Sequence, residues 1–117
     1  MERNIESIFF YKGYQCAIIS FKTDPALFLF QNECPNKYYC GYVKVPFWHP
    51  AYKVNYNNLD IQCHGGLSYS DEKLIGVNGI GWWIGFDCAH AEDTYNPKDI
   101  NFVVKECKKI SDQLMEM

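Results

Sequence analysis

The chain changes its hydrophobic period once, near its C-terminal end. From Asn96 onward, Ile100, Val103, Val104, Cys107, Ile110 and Leu114 recur at helical spacing, with Lys105, Lys108, Lys109 and Asp112 on the opposite side. The start of this helix is marked by Asn96, which can cap free amides, Pro97, which fits the first helical position, and Asp99, which favours the positive end of the dipole. A helix with a single apolar stripe requires a surface to lie on. What precedes it is punctuated like strands, so that surface is a sheet. The expected fold class is α+β: an antiparallel, curved or partly barrelled β-sheet with one C-terminal amphipathic helix packed on it.

Strand signals begin with Ile5 to Tyr11 and Tyr14 to Phe21, joined at Lys12-Gly13, where glycine supplies the positive φ of a short hairpin. Thr23-Asp24-Pro25 ends the second strand. Ala26 to Phe30 is a short apolar run of undecided type, and residues 32–37 form a polar loop with Pro35. Tyr38 to Val45 reads as a third strand. Pro46 and Pro50 then hold Phe47-Trp48-His49 in an extended or turned loop. Asn55 to Asn58 reads as a turn, Leu59 to Cys63 and Leu67 to Ser70 as short strands, residues 71–81 as a glycine-rich connector, and Trp82 to Asp87 as a buried strand.

Length and composition narrow the setting. At 117 residues, 48% of them hydrophobic and 17% aromatic, the chain is expected to form one α+β domain over 1–117 with a real core. A formal charge of -3, from 11 basic and 14 acidic residues spread along the chain, leaves no footprint for a nucleic-acid polymer. No apolar run approaches the roughly 20 residues that span a bilayer, so no membrane role is expected. The opening Met1 to Glu6 carries no charged-then-apolar leader, so the six cysteines read mainly as reduced thiols of a cytoplasmic protein, with a Cys34–Cys40 clip as the alternative.

The three histidines occupy distinctive contexts. His64 precedes Gly65 and Gly66, where backbone can approach a ligand and amides can point at an anion. Asp87 and His90, followed by Glu92 and Asp93, concentrate titratable groups where the Trp82 strand leaves the sheet. A carboxylate beside a histidine can orient the imidazole or tune it; the bland reading makes Asp87 a turn cap. His49, His64, His90 and Asp87 or Asp93 include enough donors for zinc but follow no established ligand spacing, so neither metal nor cofactor is expected. Cys63 and Cys88 lie outside recognisable nucleophile motifs.

Trp82 and Trp83 are adjacent in a strand and therefore face opposite ways, so one of them leaves the main core for a second cover or a pocket. Aromatic walls with a few directed polar groups suit a planar, polar small molecule.

Three segments, His-Gly-Gly-Leu-Ser-Tyr-Ser at 64–70, Gly-Trp-Trp-Ile-Gly-Phe-Asp-Cys-Ala-His at 81–90 and Val-Lys-Glu-Cys at 104–107, together resemble a group of small phage and prophage proteins of uncharacterised activity. Gly41 to Pro46 with His49-Pro50 fits the same pattern, whereas the first 37 residues carry none of it. Glu92 departs from the resemblance at a place where glycine is expected. The resemblance implies a cytoplasmic protein of the infected cell, and by analogy an antagonist of host defence that sequesters a nucleotide-derived signal.

The reading that follows is a binder of a nucleotide-type ligand. His64, Gly65 and Gly66 meet phosphate or ribose, Tyr69 or Trp83 stacks on the base, and Asp87, His90 and Asp93 fix hydroxyls or amines. Such sites often lie in a cleft of a homo-oligomer. Two alternatives stand beside it: a small hydrolase using His64, His90 and Asp87, and a protein inhibitor docking through Phe47-Trp48.

Overall fold

A computed structural model of the chain describes residues 3–22, 37–74, 76–77, 79–88 and 100–117. Five strands form one open, wholly antiparallel sheet: β1 (Arg3–Tyr11), β2 (Tyr14–Lys22), β3 (Lys37–Val45), β4 (Tyr69–Asp71) and β5 (Trp82–Asp87), in the order β1-β2-β3-β5-β4. The helix α1 (Ile100–Met115) lies across β3 and β2. The α+β expectation holds, and the sheet is open rather than closed into a barrel. No helix is long and apolar enough to cross a membrane among the described residues.

Lys12 and Gly13 both take positive φ, 51° and 87°, which matches the twist of the flanking strands and fixes Tyr11 opposite Tyr14. β2 is buried on both faces from Cys16 to Ser20, as a central strand should be, whereas β1 is the edge and leaves Ile8 and Phe10 exposed. A register shift between Ile5 and Ser7 irregularises that edge, a common protection against unwanted pairing.

Alternation along the strands divides the core in two. Cys16, Ile18, Val43, Val45, Ile84 and Phe86 meet Val103, Cys107, Ile110 and Leu114 of the helix. Ala17, Ile19, Cys40, Tyr42 and Trp83 face the other way, where Leu74 covers them. The two tryptophans part as expected. Trp82 packs on the helix side and donates from Nε1 to the Val54 carbonyl at 3.0 Å, while Trp83, 1% exposed, fills the second core.

After β3 the chain passes along the helix before returning as β4 outside β5. This excursion is stitched to α1 by His49 at Leu114, by Gln62 at Gln113 and by His64 at Glu106. Leu59 to Cys63, expected as a strand, joins no ladder: the Gln62 amide and carbonyl are taken by the Gln113 side chain instead. The short strand expected at Leu67 to Ser70 starts two residues later and ends at Asp71, and the 55–58 turn is a single 3-10 turn, Tyr56–Asn58, capped by the Asn55 side chain. Asn96, Pro97 and Asp99, and the readings over residues 23–36, lie outside the described residues.

Candidate functional site

Opposite the helix, the connector from β4 to β5 folds back over the sheet. Leu74 is buried under it, and Gly76, at φ 87°, reaches β1, where an added Cβ would stand 3.2 Å from Ile5 Cδ1. Beyond this cover, no described residue packs over the sheet surface at the end where β2 and β5 leave it and β3 enters. A hollow of about 230 Å³ lies there, walled by Phe21, Tyr38, Tyr42 and Tyr69 with Cys40, Ser68 and Asp87 among its lining. A smaller hollow of about 110 Å³ shares Phe21, Tyr42 and Tyr69 and adds Arg3 and Leu74.

Period-two spacing produces these walls. Tyr38, Cys40 and Tyr42 are alternate residues of β3, and Phe21 and Asp87 join them through the pairs Phe21↔Tyr38 and Cys40↔Asp87. The Phe21 and Tyr38 rings stack, with centroids 5.6 Å apart and planes 22° from parallel. Tyr69 meets Tyr42 edge-on at 5.2 Å and 82°. Glycine makes room for this: Tyr42 lies opposite Gly85, where a Cβ would come within 2.4 Å of the Tyr42 ring.

The polar groups are few and directed. Ser68 Oγ donates to Asp87 Oδ2 at 3.2 Å, and the Tyr69 hydroxyl donates to the Lys73 carbonyl, which fixes its ring. Burial, then the Asp87 carboxylate, pushes the Cys40 thiol up to about 12. Burial raises Tyr42 and Tyr38 in the same direction, helped by Cys40 and Asp87. These groups therefore stay protonated near neutrality, and the phenols can donate as well as accept.

The expected site residues divide. Tyr69 and Asp87 line the groove. His64 does not face it: its ring packs edge-on against Phe102 of the helix at 5.2 Å, whereas Asp87, in register with Cys40, belongs to the other face. Gly65 and Gly66 adopt φ 69° and 80° in a turn closed by the Gly66 amide on the Cys63 carbonyl at 2.9 Å. The His64 amide donates to Glu106 Oε1 at 2.7 Å, which sets a carboxylate beside the turn where phosphate was expected. The 1% exposure of Trp83 leaves stacking to Tyr69. His90 and Asp93 follow Asp87 closely in sequence but lie outside the described residues.

The chain matches no protein-family model, no curated protein and no solved structure.

His49 serves the fold. Its ring, 5% exposed, donates from Nε2 to the Leu114 carbonyl at 2.6 Å and accepts the Ala51 amide on Nδ1 at 2.9 Å, so one neutral tautomer ties the Pro46–Pro50 loop to the end of the helix. Among the described residues, no three His, Cys, Asp or Glu side chains gather as metal ligands. The five described cysteines are free thiols, and Cys34 lies outside them. Burial and then Glu106 push Cys63 up to about 11, a poor setting for a thiolate nucleophile. The sequence reading missed Phe21, Tyr38, Tyr42, Ser68 and Arg3. Alternation along Tyr38-Cys40-Tyr42 was the available signal for the wall.

Proposed function

We propose that this protein binds a planar, polar, nucleotide-type small molecule in the tyrosine-walled groove and holds it without turnover. The observation that carries this reading is the coincidence, at one end of the sheet, of stacked and edge-on aromatic walls with the Ser68–Asp87 pair. Rings of this kind present faces and edges to a base, and Asp87 accepts from an exocyclic amine or a ribose hydroxyl. Capture of a nucleotide-derived host signal by a phage-encoded protein is the setting we propose from the motif resemblance.

A hydrolase that works His64 against Asp87 is less well supported, because the two belong to opposite faces of the sheet. A second reading has its own observation. Phe47 and Trp48, adjacent in the loop that follows β3, are 79% and 68% exposed, and Phe47 lines a hollow of about 330 Å³ with Phe10 and Ile80. Exposed aromatics of this size suit an anchor for a protein partner.

The test is calorimetry and thermal shift against cyclic dinucleotides, cyclic mononucleotides and ADP-ribose isomers, with mass spectrometry of each mixture. We expect one class to bind and return intact, and both Tyr69→Ala and Asp87→Asn to weaken it tenfold or more, on the order of 1–3 kcal/mol for a lost aromatic or charge-assisted contact. A converted ligand would establish an enzyme. Silence across the panel, with a pull-down partner lost in Trp48→Ala, would transfer the function to the Phe47-Trp48 surface.

A further inference from the structure

We propose that Arg3 is the anion-binding end of this groove, so that the ligand is recognised by a phosphate as well as by its ring; this rests on the reading of the groove given above. Arg3 opens β1 and pairs across with Phe21, which brings it to the smaller hollow beside Tyr42, Tyr69 and Leu74. That hollow and the one containing Asp87 have Phe21, Tyr42 and Tyr69 in common, so a single molecule lying over these rings meets the guanidinium at one end and the carboxylate at the other.

The ladder supplies a ruler. Arg3 on β1 and Asp87 on β5 are separated by β2 and β3, three strand spacings or about 14 Å between backbones, and their registers differ by two residues, about 7 Å along the strands. The long arginine side chain shortens this span but does not close it. A base alone fits beside Asp87; a base with sugar and phosphate reaches from there toward Arg3.

Charge sets the direction. No carboxylate is paired with Arg3 among the described residues, so its fork is available for bidentate donation to phosphate oxygens. Asp87 repels an anion at the opposite end and favours amine and hydroxyl donors. The glycine turn after His64 does not compete, because Glu106 already occupies the His64 amide.

The experiment titrates the full chain with four nucleosides and their 5′-monophosphates by calorimetry, using the wild type, Arg3→Ala and Arg3→Lys. At least one monophosphate is expected to bind about tenfold to a hundredfold tighter than its nucleoside. Arg3→Ala should abolish that preference while leaving the urea midpoint unchanged, since Arg3 is an exposed residue on the edge strand. Arg3→Lys should restore part of it, and raising salt should erode it in the wild type and in Arg3→Lys. Equal binding of nucleoside and monophosphate, or a preference that survives in Arg3→Ala, would overturn the anchor and leave the groove standing. Silence of both series would overturn the anchor together with the reading of the groove.

Discussion

One sheet presents two faces that are finished differently. On the helix side a sixteen-residue amphipathic element covers the sheet, and even the polar groups it buries are bonded: Ser111 donates to the Cys107 carbonyl at 2.9 Å, and His49 closes the last turn at Leu114. On the other side the cover, among the described residues, is a connector that buries Leu74 and stops short of Tyr38 and Asp87. Each face also has a glycine opposite an aromatic. Gly41 faces Phe86, and the room is filled by the Cys107 thiol, 2.7 Å from where a Cβ would stand; Gly85 faces Tyr42, whose ring forms a groove wall. The same device therefore seals one face and shapes an opening in the other. The difference follows from which element arrives: a helix stripe supplies apolar side chains along its whole length, whereas a short glycine-rich loop covers a few residues and leaves the remainder to amphipathic tyrosines.

Breaking the sealed face should have the largest effect. In Gly41→Ala the new methyl would meet Phe86 at 2.6 Å and Cys107 at 2.7 Å, between two packed elements that cannot both retreat. A loss of about 3 kcal/mol is expected from overpacking of this kind, read as a lower urea midpoint with an unchanged slope. If stability were unaffected, the helix would not be seated on Gly41 as described. His49→Ala removes two buried hydrogen bonds, strands the Ala51 amide and leaves the Leu114 carbonyl only the Met117 amide at 3.3 Å, at about 1–3 kcal/mol by the same assay. Retained stability there would show that the Pro46–Pro50 loop is tied to the helix by other contacts.

The open face should reveal itself in alkali. Cys40 ionises ordinarily near 9.0 and near about 12 in the fold, so the folded chain holds its proton where the unfolded chain has lost it. Stability is then complete below pH 9 and falls as pH rises from 9 toward 12, with Tyr42 and Tyr38 pulling in the same direction. Cys40→Ala should make that decline shallower in a pH series of thermal melts; an identical slope would mean that the thiol is not shielded beside Asp87. The smallest effect belongs to the exposed Lys12–Asp112 bridge at 2.9 Å, which holds the first hairpin to the helix. Asp112 is held below the usual carboxylate range by Lys12, so its contribution is present at neutral pH and fades as pH falls through that lowered value. Lys12→Ala should lower the melting temperature slightly in dilute buffer and not at all in molar salt.

Much of the fold was legible because it is written in local periods. The stripe from Ile100 to Leu114, the Lys12-Gly13 turn and the opposed Trp82 and Trp83 each depend on residues close in sequence, and each stands where the pattern put it. Leu59 to Cys63 failed as a strand because a ladder needs a partner, and its amide found Gln113 on the helix first. Among the candidate site residues, Asp87 and Tyr69 were readable as polar and aromatic groups at strand ends, but the sequence could not place His64 on the helix side.

By itself, then, the sequence determined the elements, the helix that must lie on a sheet, and the supply of aromatics too numerous for one core. Tertiary structure decided which of them make a site. Arg3 and Asp87 lie 84 positions apart in the chain yet share the rings of Phe21, Tyr42 and Tyr69, and no local period encodes that meeting. It arises because β5 inserts between β3 and β4 while the β4–β5 connector covers only part of the face it crosses, and both depend on long-range pairing that burial rewards only once the whole sheet has assembled.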